Sequence, residues 1–575
     1  MEAKMQSEFG KADPSTEQMF KIITEEIQGT RSDLESGYYN YETNASKFPI
    51  KQQPAHKQQR NLHKVLQTRH LQMIGLGGSI GAGIFIDSGA CLKLGGPGSL
   101  LLSWLLTGLI LFFTIQALCE LVVTFPVSGS FMKYNTRFIS PSWGFAMAWN
   151  YTLSWLIIIP LQMIGLSITV EWWNPGFNRA ISVTIFLAVL CVIAVFGVRG
   201  YGESEFILCF LKVIALAGFI ILAIVLNSGG GPDHEKGYIG GLYWHEPGAF
   251  NNGFKGFCTI LPSAVFAFSG VEVIGLAAAE TQCTKVTIPA ASKQVIWRIL
   301  VLYIGSMTMV GLLVPYNDPH LLSASIYVPN ESAFSIAVRN GGLPAMTSVV
   351  NAAILIALFS VANTGVYASS RCLASIAEQG FGPKFIGYVD KSGRPLVGVL
   401  ASILFGALGY LSVTKEFSEF FKWLNSLVGL STIFSWMSIN LCHIRFRHAM
   451  KKHGRCVEEE LDYVSLTGLT GSYCNVVLLG FVFVVQFWDS LWPIGMKSSA
   501  RHFFEVWLCA PVVLLFWIGY MIWKRDFRIL VDLEGIDLDS DRLNQDLKLQ
   551  KREVAAQREY FASRSFFYRF YKFWC

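Results

Sequence analysis

Charge is scarce in this sequence. Only 15% of the 575 residues are Asp, Glu, Lys or Arg, against 52% hydrophobic residues, and the mean hydropathy is +0.42. Soluble domains carry about a quarter charged residues, so the deficit excludes an ordinary soluble domain and points to a membrane protein. The net charge of +6 is small for this length and makes no case for nucleic acid as a partner. The 12 cysteines include no CxxC pair or other metal-ligand spacing. Most, such as Cys91, Cys191, Cys209 and Cys509, lie in apolar runs and read as small buried residues. With no His/Cys cluster and no Ser/His/Asp arrangement in the apolar segments, neither an intramembrane enzyme nor a metal or other cofactor is expected. A cleavable signal peptide is lacking too. Residues 1–69 are polar and of mixed charge, so the first apolar segment is expected to direct insertion.

What the chain does have is apolar segments of about 20 residues, the length that crosses a hydrocarbon layer of about 30 Å. They fall near 70–91, 99–123, 143–170, 180–197, 204–227, 256–278, 294–315, 344–373, 396–412, 418–442, 471–488 and 503–523. The expected fold is therefore an all-α membrane protein of twelve transmembrane helices over 70–523, with an N-terminal tail (1–69) and a C-terminal tail (524–575). Twelve spans put both tails on one side. Loops on that side hold Lys133, Arg137, Arg199, Lys285, Lys293, Arg298, Lys384, Lys391, Arg394, Arg445, Arg447, Lys451, Lys452 and Arg455. The opposite loops hold about half as many, among them Lys93, Arg179, Lys236, Arg339 and Lys497. Positive residues collect on the cytoplasmic side, so both termini are expected in the cytosol. The sequon at Asn330 then faces outward as a glycosylation candidate.

The first span holds four glycines and a serine within seven residues: Gly77, Gly78, Ser79, Gly81 and Gly83. Each glycine costs about 1 kcal/mol against alanine in a helix, so the run predicts a break, unless it is a packing face for a neighbouring helix. A break in lipid is tolerable only where freed backbone groups line a protein or water cavity. The sixth span repeats the pattern in PSAVFAFSGVEVIG, with Ser269, Gly270, Glu272 and Gly275. Two interrupted helices five spans apart point to a midplane site between two five-helix halves of inverted topology, followed by two extra helices.

A half-helix N-terminus offers free N–H donors to a carboxylate, and freed carbonyls receive an ammonium. A compact site of both polarities suits a zwitterion such as an α-amino acid. Glu272, an acid within a span, either exchanges a proton, braces the broken helix by accepting N–H bonds, or meets water at a helix end. Lys212 either occupies a cation position beside the first span or snorkels to the surface. Phe266 and Phe268 flank the sixth-span break as gates or as packing residues. Ser154 and Gln162 share a face of the third span. Glu120 is expected to pair with a basic residue of the loop that follows it.

The runs RHLQMIGLGGSIGAGIFI, FPVSGSFMKYNTRFISPSWGFAMAWNY, GYGESEFILCFLKVIAL, FAFSGVEVIGLAAAET, PAASKQVIWRI, VYASSRCLASIAEQGFGPKFIGYVDKSGRPL and INLCHIRFRHAM, with the terminal FWC, resemble the fungal amino acid permeases of the amino acid–polyamine–organocation superfamily. General and neutral amino acid permeases are the nearest subgroup. The resemblance implies a five-plus-five inverted repeat and proton-coupled uptake of amino acids, over a neutral or broad range, across the plasma membrane. It places the substrate at Gly78, Ser79, Ile80, Gly81, Ala82 and Gly83 of the first span and at Phe266, Ala267, Phe268 and Ser269 of the sixth. Ser154 falls in the stretch that sets specificity, and Lys212 and Glu272 at the coupling positions. Many members of the family have a glutamate where this chain has Gln162, which cannot change charge. That departure argues against a strong preference for basic substrates and moves the coupling proton elsewhere. The resemblance also implies ubiquitin-ligase machinery acting on lysines of the N-terminal tail (Lys4, Lys11, Lys21, Lys47). Cys575 becomes a palmitoylation candidate in a tail that meets membrane lipids. Other classes compatible with the sequence are a non-transporting amino acid sensor and a transporter of a polyamine, γ-aminobutyrate or carnitine.

Overall fold

In a computed structural model, residues 64–232, 237–281, 284–322, 332–413, 418–495, 497–542 and 565 are described. Asn330, Cys575 and the four tail lysines lie outside them. Among the described residues there is no strand, and one isolated bridge joins Leu66 to Thr281. Among the described residues, eight helices are long and apolar enough to cross a membrane, or nine if the pair Ala500–Trp507 and Cys509–Lys524, bent by 65°, is one span. Arg179–Val195 and Leu396–Leu411 are shorter and apolar.

The helices that position the site are α1 (Thr68–Gly77), α2 (Ser88–Thr124), α3 (Pro141–Glu171), α4 (Arg179–Val195), α5 (Gly197–Asn227), α6 (Gly253–Phe268), α7 (Val273–Ala277), α8 (Thr284–Leu313), α9 (Pro344–Glu378), α10 (Leu396–Gly406), α11 (Ser418–Lys452) and α12 (Gly468–Leu491). Their starts follow ordinary capping chemistry. Ser140 accepts the Trp143 N–H at 3.2 Å ahead of Pro141, and Asn178 accepts the Ala180 N–H at 2.9 Å. Threonines inside the apolar helices donate to the carbonyl four residues back, as Thr107, Thr114 and Thr152 do, which satisfies these hydroxyls within their own helix.

Burial separates inner from outer helices. In the apolar windows of Gly83–Thr124, Pro141–Glu171 and Gly253–Glu280, 78% of residues are inside, against 28% for Gly197–Asn227. α5 therefore shows most of its surface outward while keeping one polar face inside. α8, which fills the place of the seventh expected span, begins at Thr284 rather than near 294, and α11 runs on to Lys452. Both extensions carry charge (Lys285 and Lys293; Arg445, Arg447 and Lys451), which an apolar-run criterion stops at.

Glu120 does not pair with the loop after it. It is fully buried and meets His443 at 3.0 Å and Arg447 at 2.6 Å, both of α11, and takes the Ser465 N–H at 2.7 Å. Arg137 of the expected partner loop bonds Asp541 instead. Residues 526–542 lie against this same side. The Val531 N–H donates to Ile139 O at 2.7 Å, Arg455 grips Asp539 at 2.6 and 2.7 Å, and Ile536 and Leu538 are buried.

Candidate binding site

The glycine run breaks the first helix. α1 stops at Gly77, residues 78–81 are turn and bend, and helix resumes as a wide turn at Gly83–Asp87 that leads into α2. The interruption leaves the carbonyls of Gly77 and Ile80 outside the normal ladder. Lys212 takes both: its Nζ donates to Gly77 O at 2.6 Å, Ile80 O at 3.1 Å and Ser360 Oγ of α9 at 2.7 Å. The ammonium is wholly buried, so this lysine does not snorkel. On the other side of the break, the first N–H groups of the resumed helix have no carbonyl one turn earlier to bond. They carry the positive end of its dipole.

The sixth span breaks in the same way. α6 ends at Phe268, Gly270 adopts φ +97°, and α7 begins at Val273. Glu272 closes the gap. Its carboxylate accepts the Gly270 N–H at 3.1 and 3.2 Å, the Tyr151 hydroxyl at 3.3 Å and the Trp436 indole N–H at 3.1 Å. Of the three roles open to this acid, the geometry is that of a brace, tying the break to α3 and α11. Ala267 O accepts the Tyr303 hydroxyl at 3.0 Å, and Phe268 packs on that ring at 4.6 Å between centroids.

Between the breaks lies a small cavity, with room for one or two waters as the protein stands. The first break lines it with Gly78, Ser79, Gly81, Ala82 and Gly83, α3 with Trp155, Ile158 and Gln162, α6 with Phe266, the second break with Ser269, and α9 with Val361. Gln162 Oε1 is buried there without a hydrogen-bond partner. Ile80, Ala267, Phe268 and Ser154 are not in the lining. Ile80 is turned into the core, and Ser154 donates to Tyr151 O at 2.8 Å. The Ser79 hydroxyl closes α1 by donating to Leu76 O at 3.0 Å. Among the described residues no ionisable side chain lines the cavity; Lys212 and Glu272 stand behind the backbone of the breaks.

The sequence profile described as amino acid permease matches residues 70–531. The chain belongs to the amino acid permease family. It is 47% identical over 515 residues to a general amino-acid permease of Candida albicans, covering 89% of this chain and 87% of that one. To a general amino-acid permease of Saccharomyces cerevisiae it is 45% identical over 517 residues, with 89% and 85% covered. To the histidine permease of the same yeast it is 44% identical over 522 residues, with 90% and 86% covered. The permease is thus a multi-pass membrane protein of a transporter family, not an enzyme.

Several residues of the permease's site had no motif to announce them. Trp155, Ile158 and Val361 are apolar residues in apolar helices. Glu205 is wholly buried 3.9 Å from Lys212, and its spacing of seven residues, two helical turns on one face, was the available signal. Near the start of α1, Glu280 meets Arg371 at 3.2 Å and the Tyr367 hydroxyl at 2.6 Å, and its carbonyl accepts the Val65 and Leu66 N–H groups. Tyr201 stacks on Tyr367 at 4.1 Å. These contacts bolt together α1, α5, α9 and the end of the sixth span.

Proposed function

We propose that the permease imports amino acids of neutral or broad range together with protons across the plasma membrane. The observation that carries this reading is the cavity between the two broken spans. It presents backbone N–H donors of the resumed first helix and the unpartnered amide oxygen of Gln162, with no side-chain charge among the described residues of its wall. Such a wall recognises the carboxylate and ammonium shared by all amino acids and gives a charged side chain no counter-ion, which favours neutral substrates. The general and histidine permeases among its relatives are consistent with that substrate class.

Lys212 supplies a proton-bearing group where loss of one proton weakens the clamp on Gly77 and Ile80, so protonation and the shape of the site are linked. In this reading Glu272 holds the sixth span and Lys212 carries the coupling proton. The chain makes twelve spans. The first is α1 with the helix resumed after its break, the second is the rest of α2 beyond the kink at Gly96, the sixth is α6 with α7, and the twelfth is the bent pair ending at Lys524. The tails face the cytosol, where the N-terminal lysines accept ubiquitin and Cys575 a lipid, while Asn330 bears its glycan outside.

Uptake of a panel of radiolabelled amino acids into cells lacking their own permeases tests the proposal, with and without a protonophore. Accumulation of several neutral amino acids that collapses with the gradient is expected. No uptake of any amino acid despite surface expression would reject transport, and uptake indifferent to the protonophore would reject coupling.

A further inference from the structure

We propose that Glu205 is the acceptor through which the coupling proton leaves Lys212, and that the proton exits through the pocket beside Asn363. The inference rests on the proton-coupled reading above and adds its route.

The side chains form a continuous donor–acceptor chain. Lys212 Nζ donates to Ser360 Oγ at 2.7 Å, and the Ser360 hydroxyl in turn donates to Glu205 Oε1. Direct Nζ to Oε1 separation is 3.9 Å, so the serine is the bridge. The other oxygen, Glu205 Oε2, accepts from Asn363 Nδ2 at 3.4 Å, and Asn363 also reaches Ser204 Oγ at 3.2 Å. Asn363 lines a second, partly open pocket whose wall includes Tyr201, Tyr367, Arg371 and Arg394. That pocket lies where α4 ends and where α5 and α10 begin, and Arg394 belongs to the loop ahead of α10. The positive loops assign this face to the cytosol. The substrate cavity and this pocket share no lining residue, and Glu205 lies between Lys212 and the second of them.

The transfer balances without a further reactant. One N–H bond of the Lys212 ammonium breaks as an O–H bond forms at Ser360 Oγ. The original serine O–H breaks as Glu205 Oε1 gains its proton. Ammonium and carboxylate become amine and carboxylic acid, and the acid then releases its proton to water in the pocket when Asn363 moves aside. The ionisable groups around Glu205 are Lys212, Cys209 and Tyr201 of its own helix. The facing backbone and side chains of α1 and α9 are Gly77, Ser360 and Asn363, none of them ionisable. A Cβ at Gly77 would collide with the Glu205 carboxylate, so the acid touches the broken span itself. Neutralising Lys212 leaves its two remaining N–H bonds on Gly77 O and Ile80 O but removes their charge assistance, so departure of the proton weakens the clamp on the first span.

The test uses full-length protein in proteoliposomes, comparing gradient-driven accumulation with gradient-free exchange of labelled for unlabelled amino acid. One proton per amino acid across one pH unit supports accumulation of about tenfold. In Glu205→Gln the acid cannot take up a proton, so accumulation is expected to fall to equilibration while exchange, which needs no net proton release, falls far less. Glu205→Asp is expected to restore part of the accumulation. Ser360→Ala, which removes the bridge and leaves both charged groups, is expected to lose accumulation in the same sense. Equal loss of exchange and accumulation in a folded Glu205→Gln protein would make the residue a scaffold and overturn the proposal. So would full accumulation in either variant; if Glu205→Gln fails to fold, the Ser360→Ala result decides. A wild-type protein that never accumulates substrate under a gradient would fail the coupling reading itself, and the route with it.

Discussion

Gly270 rests against the backbone of Gly78, so the two helix breaks touch main chain to main chain. A Cβ built on Gly270 lands on the Gly78 carbonyl, and its φ of +97° is one that residues with a side chain rarely adopt. The contact fixes one break against the other. Gly270→Ala is therefore expected to cost about 1–3 kcal/mol by overpacking and to abolish uptake. Thermal unfolding of the purified protein, together with uptake at matched surface expression, checks both. Unchanged transport would mean that the breaks do not need this contact.

Gln162 is the one polar side chain of α3 in the cavity wall, and its oxygen is unpartnered. Gln162→Glu places a carboxylate in a wall that otherwise has no ionisable group. Preference is expected to move toward cationic amino acids by on the order of tenfold, about 1.4 kcal/mol, measured as competition by lysine against a neutral substrate. An unaltered competition profile would put the side chain outside the bound substrate's reach.

Glu272 accepts from a backbone N–H, a tyrosine and a tryptophan, and among the described residues no basic side chain is one of its partners. As a brace, Glu272→Gln is expected to lower accumulation and exchange by the same factor, because the amide turns a donor toward donors. Trp436→Phe is expected to produce a milder form of the same loss. Loss of accumulation with exchange spared would assign the coupling proton to Glu272 instead.

The packing of residues 526–542 is expected to be insensitive to pH near neutrality. Hydrogen bonds from Ser540 and the Asp539 backbone hold the Asp537 carboxyl down at about 2, below an ordinary value of about 3.9. A carboxyl depressed in the packed state stabilises it above the free value, and that contribution fades only as pH falls from about 4 toward 2. Salt acts sooner. The Arg455–Asp539 and Arg542–Glu460 pairs are partly exposed, and such pairs are screened. Limited proteolysis should find the segment protected alike from pH 5 to 8 and more readily cleaved in Arg455→Ala or at high salt.

Much of the site was legible because breaking a helix in lipid demands glycine, and glycine is visible in sequence. The Gly77–Gly83 and Ser269–Gly275 runs announced both interruptions, and the lone lysine of the fifth span announced what fills the first. Cavity-facing Trp155 and Val361 were not legible, since an apolar side chain in an apolar helix gives no sign of which way it turns. Glu120 was assigned a near partner in sequence, whereas packing of α2 against α11 supplied His443 and Arg447 from more than 300 positions away. Ser154 and Gln162 share a face by spacing, yet only Gln162 reaches the cavity, because the Ser154 hydroxyl folds back on its own helix.

Influx of a labelled neutral amino acid into proteoliposomes, with and without an imposed proton gradient, tests the central claim most directly. Accumulation above the outside concentration when the outside is acidic, abolished by a protonophore and by Lys212→Ala, is the predicted result. Equilibration without accumulation, or accumulation that Lys212→Ala leaves intact, would contradict it.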